Sequence, residues 1–317
     1  MTSNTELNWG IHVLDTGFHR DNMAACYVVE GEGENGVEVA IIETGTKDTV
    51  PVIEAFLRDQ DIDFKQVKYV IVTHVHLDHA GGAGLLMQML PNAKLVVHEK
   101  GARHMINPAK LQAGATAVYG EEVFSKTYGN LLPIDEGKIQ VPADEEVLTL
   151  GSRSLTFIDT PGHARHHFCV YDNKSQGFFT GDTFGLAYQE LTTDKGPFIF
   201  PTTTPVQFDP DAMKHSIRRL LSFEPQRLFL THYGMVEQPA VLAEVLLERI
   251  DVLVAIATRH ADHPERINVI KEEILSYFIA QLAEHHCELP KEEQVELLAM
   301  DAMLNAQGLD VWLKSRG

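Results

Sequence analysis

A chain of 317 residues with 44% hydrophobic and 22% charged residues has the makeup of a packed globular protein, which excludes a disordered chain and a low-complexity fibre. Its 26 Lys and Arg against 45 Asp and Glu leave a formal charge of -19, so phosphate backbones and anionic lipid surfaces are repelled, and nucleic-acid and membrane partners are not expected. The opening MTSNTELNWG has no apolar leader-like run and no stretch reaches about 18 uninterrupted apolar residues, so the expectation is a soluble, cytoplasmic protein. Short alternating runs at 11–14, 26–29 and 37–42, punctuated by glycines, predict meandering strands. Helical spacing follows over 50–56, then the β-branched run 67–72 predicts a buried strand that delivers the chain to Thr73 and His74. A short helix stopped by Pro91 and a strand at 95–97 continue a βα alternation.

Residues 99–135 show no strand alternation and are expected to form a helical insertion. Strands return at 147–150, 155–158, 167–171 and 177–180. The stretch 183–210, rich in Thr, Pro and Phe and without a clear period, predicts a long functional loop. Asp209, before Pro210 and Asp211, is placed to cap a helix that runs to Phe223 and leads into a strand at 227–230. Beyond Pro239 the apolar residues recur at i, i+3 and i+4, so the last eighty residues predict an all-helical extension of about three helices. The domain organisation expected is a catalytic domain over 1–236, containing the 99–135 insertion, followed by helices over 237–317. Cys26, Cys169 and Cys287 are odd in number and far apart, which predicts reduced thiols.

The 16 histidines decide the functional reading. His74, His76, Asp78 and His79 crowd three imidazoles and a carboxylate into six residues where a buried strand ends, and a random match to His-x-His-x-Asp-His in such a chain is expected about 0.002 times. In an extended or turning segment His74 and His76 point to one side, while Asp78 and His79 follow on a bend aimed at a neighbouring point. Two adjacent metal positions follow, and these need further donors. His163, Asp182 and His232 each come directly after a predicted strand, where an α/β sheet offers a site. Each taken singly could be a core histidine or a turn former; their agreement with the first cluster is what counts.

The pattern His74-x-His76-x-Asp78-His79-x-Gly81-Gly82, then Pro161-Gly162-His163, Gly181-Asp182 and His232, resembles the metallo-β-lactamase-fold hydrolase superfamily. It is most similar to the branch of hydroxyacylglutathione hydrolases (glyoxalase II) and acyl-homoserine lactonases, over residues 10 to 236. The resemblance implies an α/β fold, a four-layered αββα sandwich carrying the C-terminal helices. It implies a binuclear site in which His74, His76 and His163 hold one ion, Asp78, His79 and His232 the other, and Asp182 bridges them. The long spacing from His79 to His163 and the terminal helices resemble a subgroup that includes a quinolone-pathway quorum-sensing thioesterase, in which such helices cap the site. Two departures from the usual pattern are Glu43-Thr44-Gly45, where relatives often have Asp-Thr-Gly, and Leu230-Thr231-His232, where many have Pro-Gly-His. The first is a supporting position and the second keeps its donor.

Two divalent ions, Zn2+ by donor type with Fe or Mn also fitting, would share a water and lower its pKa, giving a bridging hydroxide that attacks a polarised carbonyl. Asp78 is the candidate catalytic carboxylate that orients the hydroxide or relays its proton. The expectation is a metal-dependent hydrolase of an ester-like bond, whether thioester, lactone or related ester, in a small molecule. A mononuclear-iron oxidoreductase like the persulfide dioxygenases, and a regulatory effector that keeps the metal site, are the alternatives. For substrate contacts the candidates are His167, Tyr188, Phe200 and Tyr233. His167 matches the second histidine of a His-x-x-Gly-His pattern and also suits a packing role, while the loop aromatics can equally tie the loop to the sheet. The terminal helices could lid the cleft or make a homodimer face.

Overall fold

The computed structural model describes residues 4–34, 36–203 and 206–316. The chain divides into two compact units: the first runs through Asp159 and again over His166–Gly181, the second consists of Thr160–Arg165 and the chain from Asp182 onward.

In the first unit the N-terminal alternation forms an antiparallel meander, β1 (Asn4–Leu7), β2 (Ile11–Asp15), β3 (Ala25–Gly33) and β4 (Gly36–Ile42). Strand β1 was not anticipated, because its Asn-Thr-Glu-Leu sequence carries too few apolar residues to show a period. The next pairings are parallel and need crossovers, which helices supply. Helix α1 (Val50–Asp59) leads into β5 (Val67–Ile71), and α2 (Leu77–Ala80) and α3 (Ala83–Met89) lead into β6 (Lys94–Val96). The stretch 99–135 carries helices α4 (Glu99–Ile106), α5 (Ala109–Tyr119) and α6 (Glu121–Thr127), before the short β7 (Ile139–Gln140) joins β6. A second sheet of β8 (Val147–Leu150), β9 (Arg153–Asp159), β10 (Phe168–Asp172) and β11 (Gly177–Gly181) is antiparallel in this unit.

The period of two along each strand sorts the core. Cys26, Val28, Val39, Ile41 and Val70 meet Ile53, Phe56, Leu57, Leu86 and Met87 of α1 and α3 on one face of the first sheet. On the other face Tyr27 meets the edge of Phe179 in β11, ring centroids 5.2 Å apart. The sheets approach tightly where β3 passes β8: a Cβ on Gly31 would stand 1.9 Å from the Leu150 carbonyl oxygen, so only glycine fits. Inside the sandwich the Arg153 guanidinium lies 3.4 Å from Asp172, both side chains fully buried, and it also donates to the Trp9 carbonyl.

In the second unit α7 (Pro210–Leu221) starts as expected. The Asp209 carboxylate accepts from the N–H groups of Asp211 and Ala212 at 3.1 and 3.0 Å, and proline occupies the first turn. Strand β12 (Arg227–Leu230) pairs with β13 (Gly234–Glu237), a hairpin partner that a four-residue run did not announce. The C-terminal helices are α8 (Pro239–Arg259), α9 (Arg266–Glu284) and α10 (Lys291–Arg316), with α10 packed on α9 and α8. Residues 204 and 205 of the loop expected over 183–210 lie outside the described residues. The rest of that loop is tied to these helices. Phe200 and Phe198 pack on Phe278 at centroid distances of 5.3 and 6.4 Å, the Arg249 guanidinium covers the Phe198 ring at 3.8 Å, and the Thr203 N–H donates to Asn305 at 2.6 Å. Among the described residues no helix is long and apolar enough to cross a membrane.

Candidate metal centre

Beyond β5 the chain passes through Thr73 and enters the single turn of α2, which forms the tight bend that the His-x-His-x-Asp-His spacing predicted. The N–H groups of His79 and Ala80 both donate to the His76 carbonyl, at 3.1 and 2.8 Å, and this places Asp78 and His79 in the turn itself. His74 and His79 are fully buried, with ring centroids 4.0 Å apart. His74 Nε2 lies 2.9 Å from His76 Nδ1, and His79 Nε2 lies 3.6 Å from Asp78 Oδ2. The first unit therefore gathers four donors, all on the segment read from the sequence.

The ring orientations are fixed from behind. Thr73 Oγ1 donates to Glu43 Oε1 at 2.5 Å, and with that proton committed it can accept from His74 Nδ1, 3.1 Å away. The same carboxylate oxygen lies 3.2 Å from His79 Nδ1. One buried glutamate thus holds the Nδ1 side of two histidines, directly and through a threonine, leaving each Nε2 to the donor cluster. Glu43 sits at φ 66, a left-handed conformation that costs a side-chain-bearing residue about 1 kcal/mol or more, and its hydrogen bond from Thr73 and its contact with His79 hold it there. The loop it opens is clamped to the motif: Thr44 N–H and Oγ1 both donate to the His79 carbonyl at 2.8 Å, and the Gly82 N–H donates to the Gly45 carbonyl at 2.9 Å. A Cβ on Gly82 would come within 2.6 Å of the Thr44 oxygen, which explains the glycine after the donors.

In the second unit His163, Asp182 and His232 are brought together from three separate parts of the sequence. His163 Nδ1 faces the Thr202 carbonyl at 3.3 Å, an acceptor that fixes the proton on Nδ1. Its Nε2 lies 3.3 Å from Asp182 Oδ2, and His232 Nε2 lies 3.6 Å from Asp182 Oδ1. Each oxygen of one carboxylate therefore faces a different imidazole. All three residues are nearly inaccessible.

The other candidates are buried. His167 is fully buried and lies nearly parallel to His74, 4.9 Å between centroids, while His166 lies farther out at 6.2 Å. The Tyr188 O–H donates to Asp301 of α10 at 3.2 Å, and its ring meets the edge of Phe200 at 5.5 Å. Tyr188 and Phe200 are fully buried, and Tyr233 is buried. Sequence reasoning did not anticipate the contacts of Asp301 and Asn305; polar residues on the apolar side of a terminal helix were the available signal. Cys26 and Cys169 are buried and all three thiols are free, as expected. Burial among apolar neighbours, with the Glu43 carboxylate nearby, pushes the Cys26 thiol far up, so it is inert.

Imidazole nitrogens and carboxylate oxygens, buried, oriented from behind and without thiolates, fit a divalent metal ion. Within the first unit the ligand atoms of His74 lie within 4.8 Å of those of His76 and of His79, and those of Asp78 within 4.8 Å of those of His79.

Residues 19–232 match the model of the metallo-beta-lactamase superfamily. The chain is 29% identical over 217 residues, 66% of its own length and 77% of the relative's, to a metallo-beta-lactamase fold-containing protein of Sulfurisphaera tokodaii. It is 27% identical over 150 residues to a hydroxyacylglutathione hydrolase of Klebsiella pneumoniae, a match covering 47% of this chain and 44% of that one. Among solved structures, a metallo-beta-lactamase family protein from Thermus thermophilus superposes with a TM-score of 0.68 at 20% identity, over 97% of this chain and 94% of the other. That likeness carries the fold, which is the expected αββα sandwich with C-terminal helices.

Proposed function

This chain belongs to the metallo-β-lactamase superfamily, and on that premise we propose that it is a hydrolase that uses two divalent ions, zinc by donor type, to cleave a thioester, lactone or related ester of a small molecule. His74, His76 and His163 would hold one ion, Asp78, His79 and His232 the other, with Asp182 shared. Bound there, the ions supply Lewis acidity toward the substrate carbonyl and acidify a water to near neutral pH. The chain's own residues do the rest. Glu43 and Thr73 hold His79 and His74 with Nε2 forward, and the Thr202 carbonyl does the same for His163. Asp78 keeps a quarter of its side chain exposed beside His79, where it can hold the proton of the attacking water and pass it on.

Asp182 carries the reading: a buried carboxylate with a different imidazole on each oxygen has the form of a bridging ligand and no packing purpose. The choice of bond draws support from the relative named as a hydroxyacylglutathione hydrolase, whose name describes an acyl group carried on a thiol. We place the catalytic domain at 1–236 and the appended helices at 237–317, with His167 behind His74 and a cytoplasmic setting. The test is a panel of thioester, lactone, ester and phosphodiester substrates on zinc-reconstituted protein. Highest kcat/KM on a carbonyl ester of any of the first three kinds is expected; activity on the phosphodiester alone, or oxygen uptake with a persulfide on iron-loaded protein, would replace the proposal.

A further inference from the structure

We propose that Asn305, in the C-terminal helix α10, is a positioning residue for the donor His163 and acts through the one peptide unit between Thr202 and Thr203; this rests on the two-ion reading above and deepens it. All four residues belong to the second unit. Asn305 Oδ1 accepts the Thr203 N–H at 2.6 Å, and the carbonyl of that same peptide unit, which is that of Thr202, faces His163 Nδ1 at 3.3 Å. The unit is trans, and a planar trans peptide points its N–H and C=O in opposite directions. Gripping one edge therefore aims the other. Asn305 also holds the flanking groups: its Nδ2 donates to the Pro201 carbonyl at 3.2 Å, and its backbone carbonyl accepts from Thr203 Oγ1 at 3.0 Å. One side chain thus brackets Thr202 on both sides.

Packing alone does not call for an asparagine here. Its buried neighbours on α10 include Ala302, Ala306 and Leu309, and among them an amide costs helix propensity and must find partners away from water. Asn305 and His163 are each 1% exposed and Thr203 is fully buried, so solvent competes little for these bonds, and hydrogen bonds in series through one peptide strengthen each other. The segment arrives at Thr202 already constrained. Leu186 and Phe200 exchange backbone hydrogen bonds at 2.8 and 2.9 Å, and the Arg249 guanidinium of α8 donates to the Ile199 carbonyl. Asn305 then sets the rotation of the Thr202–Thr203 peptide. The same helix reaches a second donor: Asp301, one turn earlier, accepts from the Tyr188 hydroxyl at 3.2 Å, and the N–H of Ala187, next to Tyr188, donates to the His232 carbonyl at 2.6 Å. Two of the three donors in this unit are therefore supported from α10, at positions one turn apart.

The test uses the full chain, with zinc as the probe. Competition with a chelator resolves the two zinc-binding steps in the parent and in Asn305→Leu, which keeps the branched shape and removes both polar ends. One step is expected to weaken about tenfold, the low end for losing a partner behind a ligand, while the other stays within about twofold. Loosening of the whole unit would weaken both. In the zinc-loaded chain labelled with nitrogen-15 histidine, NMR reads the His163 Nδ1–H, assigned by its absence in His163→Gln. Its exchange with water is expected to be slow in the parent and about tenfold faster or more in Asn305→Leu. Circular dichroism should match the parent. If Asn305→Leu loses that fold, Asn305→Ser, too short to reach the Thr203 N–H and able to admit water, is read in its place with the same expectations; unfolding of both would overturn the proposal by showing that Asn305 holds the fold. Unchanged affinity, equal weakening of both steps, or unchanged Nδ1–H exchange would overturn it too, and with two zinc ions still bound by the parent the hydrolase reading would stand. Conversely, the expected losses in a chain that hydrolyses no ester would keep Asn305 in its role and end the hydrolase reading.

Discussion

Glu43 Oε1 stands 3.2 Å from His79 Nδ1 and accepts from Thr73 Oγ1, so a single carboxylate outside the donor set orients two of its histidines. Replacing it with the isosteric amide in Glu43→Gln keeps the volume and removes the charge that stabilises both Nδ1–H groups. Metal affinity is expected to fall roughly 10–100-fold, the usual effect of losing a partner behind a ligand. Competition with a chelator reads this directly, and an unchanged affinity would show that His74 and His79 need no such support.

Asp182→Asn tests the donor that faces two imidazoles. The amide keeps the shape but presents one oxygen instead of two, so kcat on zinc-reconstituted protein should fall by more than it does in Glu43→Gln, whose donors are all retained. Circular dichroism and the unfolding midpoint should stay close to those of the parent. Equal activity losses in the two variants would count against a shared role for Asp182.

The pair inside the sandwich makes a stability prediction. Arg153 and Asp172 are both fully buried, and burial lowers the Arg153 pKa while Asp172 opposes the shift. Asp172→Ala strands a guanidinium in the core and should lower the unfolding free energy by about 3–5 kcal/mol, read by denaturant titration. A change under about 1 kcal/mol would mean that Arg153 finds water when its partner is removed.

His285 gives a pH dependence. Burial lowers its pKa below the ordinary 6.5, outweighing the Gly196 carbonyl, which lies 2.9 Å from Nε2 and raises it. The fold therefore favours the neutral ring. Its contribution is complete above about pH 6.5 and is lost as pH falls through the lower folded value. The melting temperature of wild type relative to His285→Gln should decline between about pH 7.5 and pH 5, and a difference that grows on acidification would reverse the assignment.

Much of this was legible in the sequence because the signals are local. The β-branched run of β5, the helical spacing of α8 to α10 and the Asp209 cap depend on neighbours within a few residues, and the donor segment from His74 to His79 is six consecutive residues. What stayed hidden depends on contacts across long separations. Glu43 was recognised as a supporting position, but its hydrogen bond from Thr73 and its contact with His79 arise only once β4 and β5 lie side by side. The loop aromatics admitted two roles in sequence; the bond from Tyr188 to Asp301, 113 residues away, required the folded second unit. Strands β7 and β13, of two and four residues, are set by pairing with neighbours and are too short to carry a period.

Paired divalent ions are proposed to be held by seven donors, His74, His76, Asp78, His79, His163, Asp182 and His232. The most direct test of that pairing is the metal content per chain after zinc reconstitution and exhaustive dialysis, measured by mass spectrometry for the parent and for Asp182→Ala. About two equivalents for the parent, falling to one or fewer in the variant, is the expected result. Fewer than one equivalent in the fully reconstituted parent would contradict the pairing.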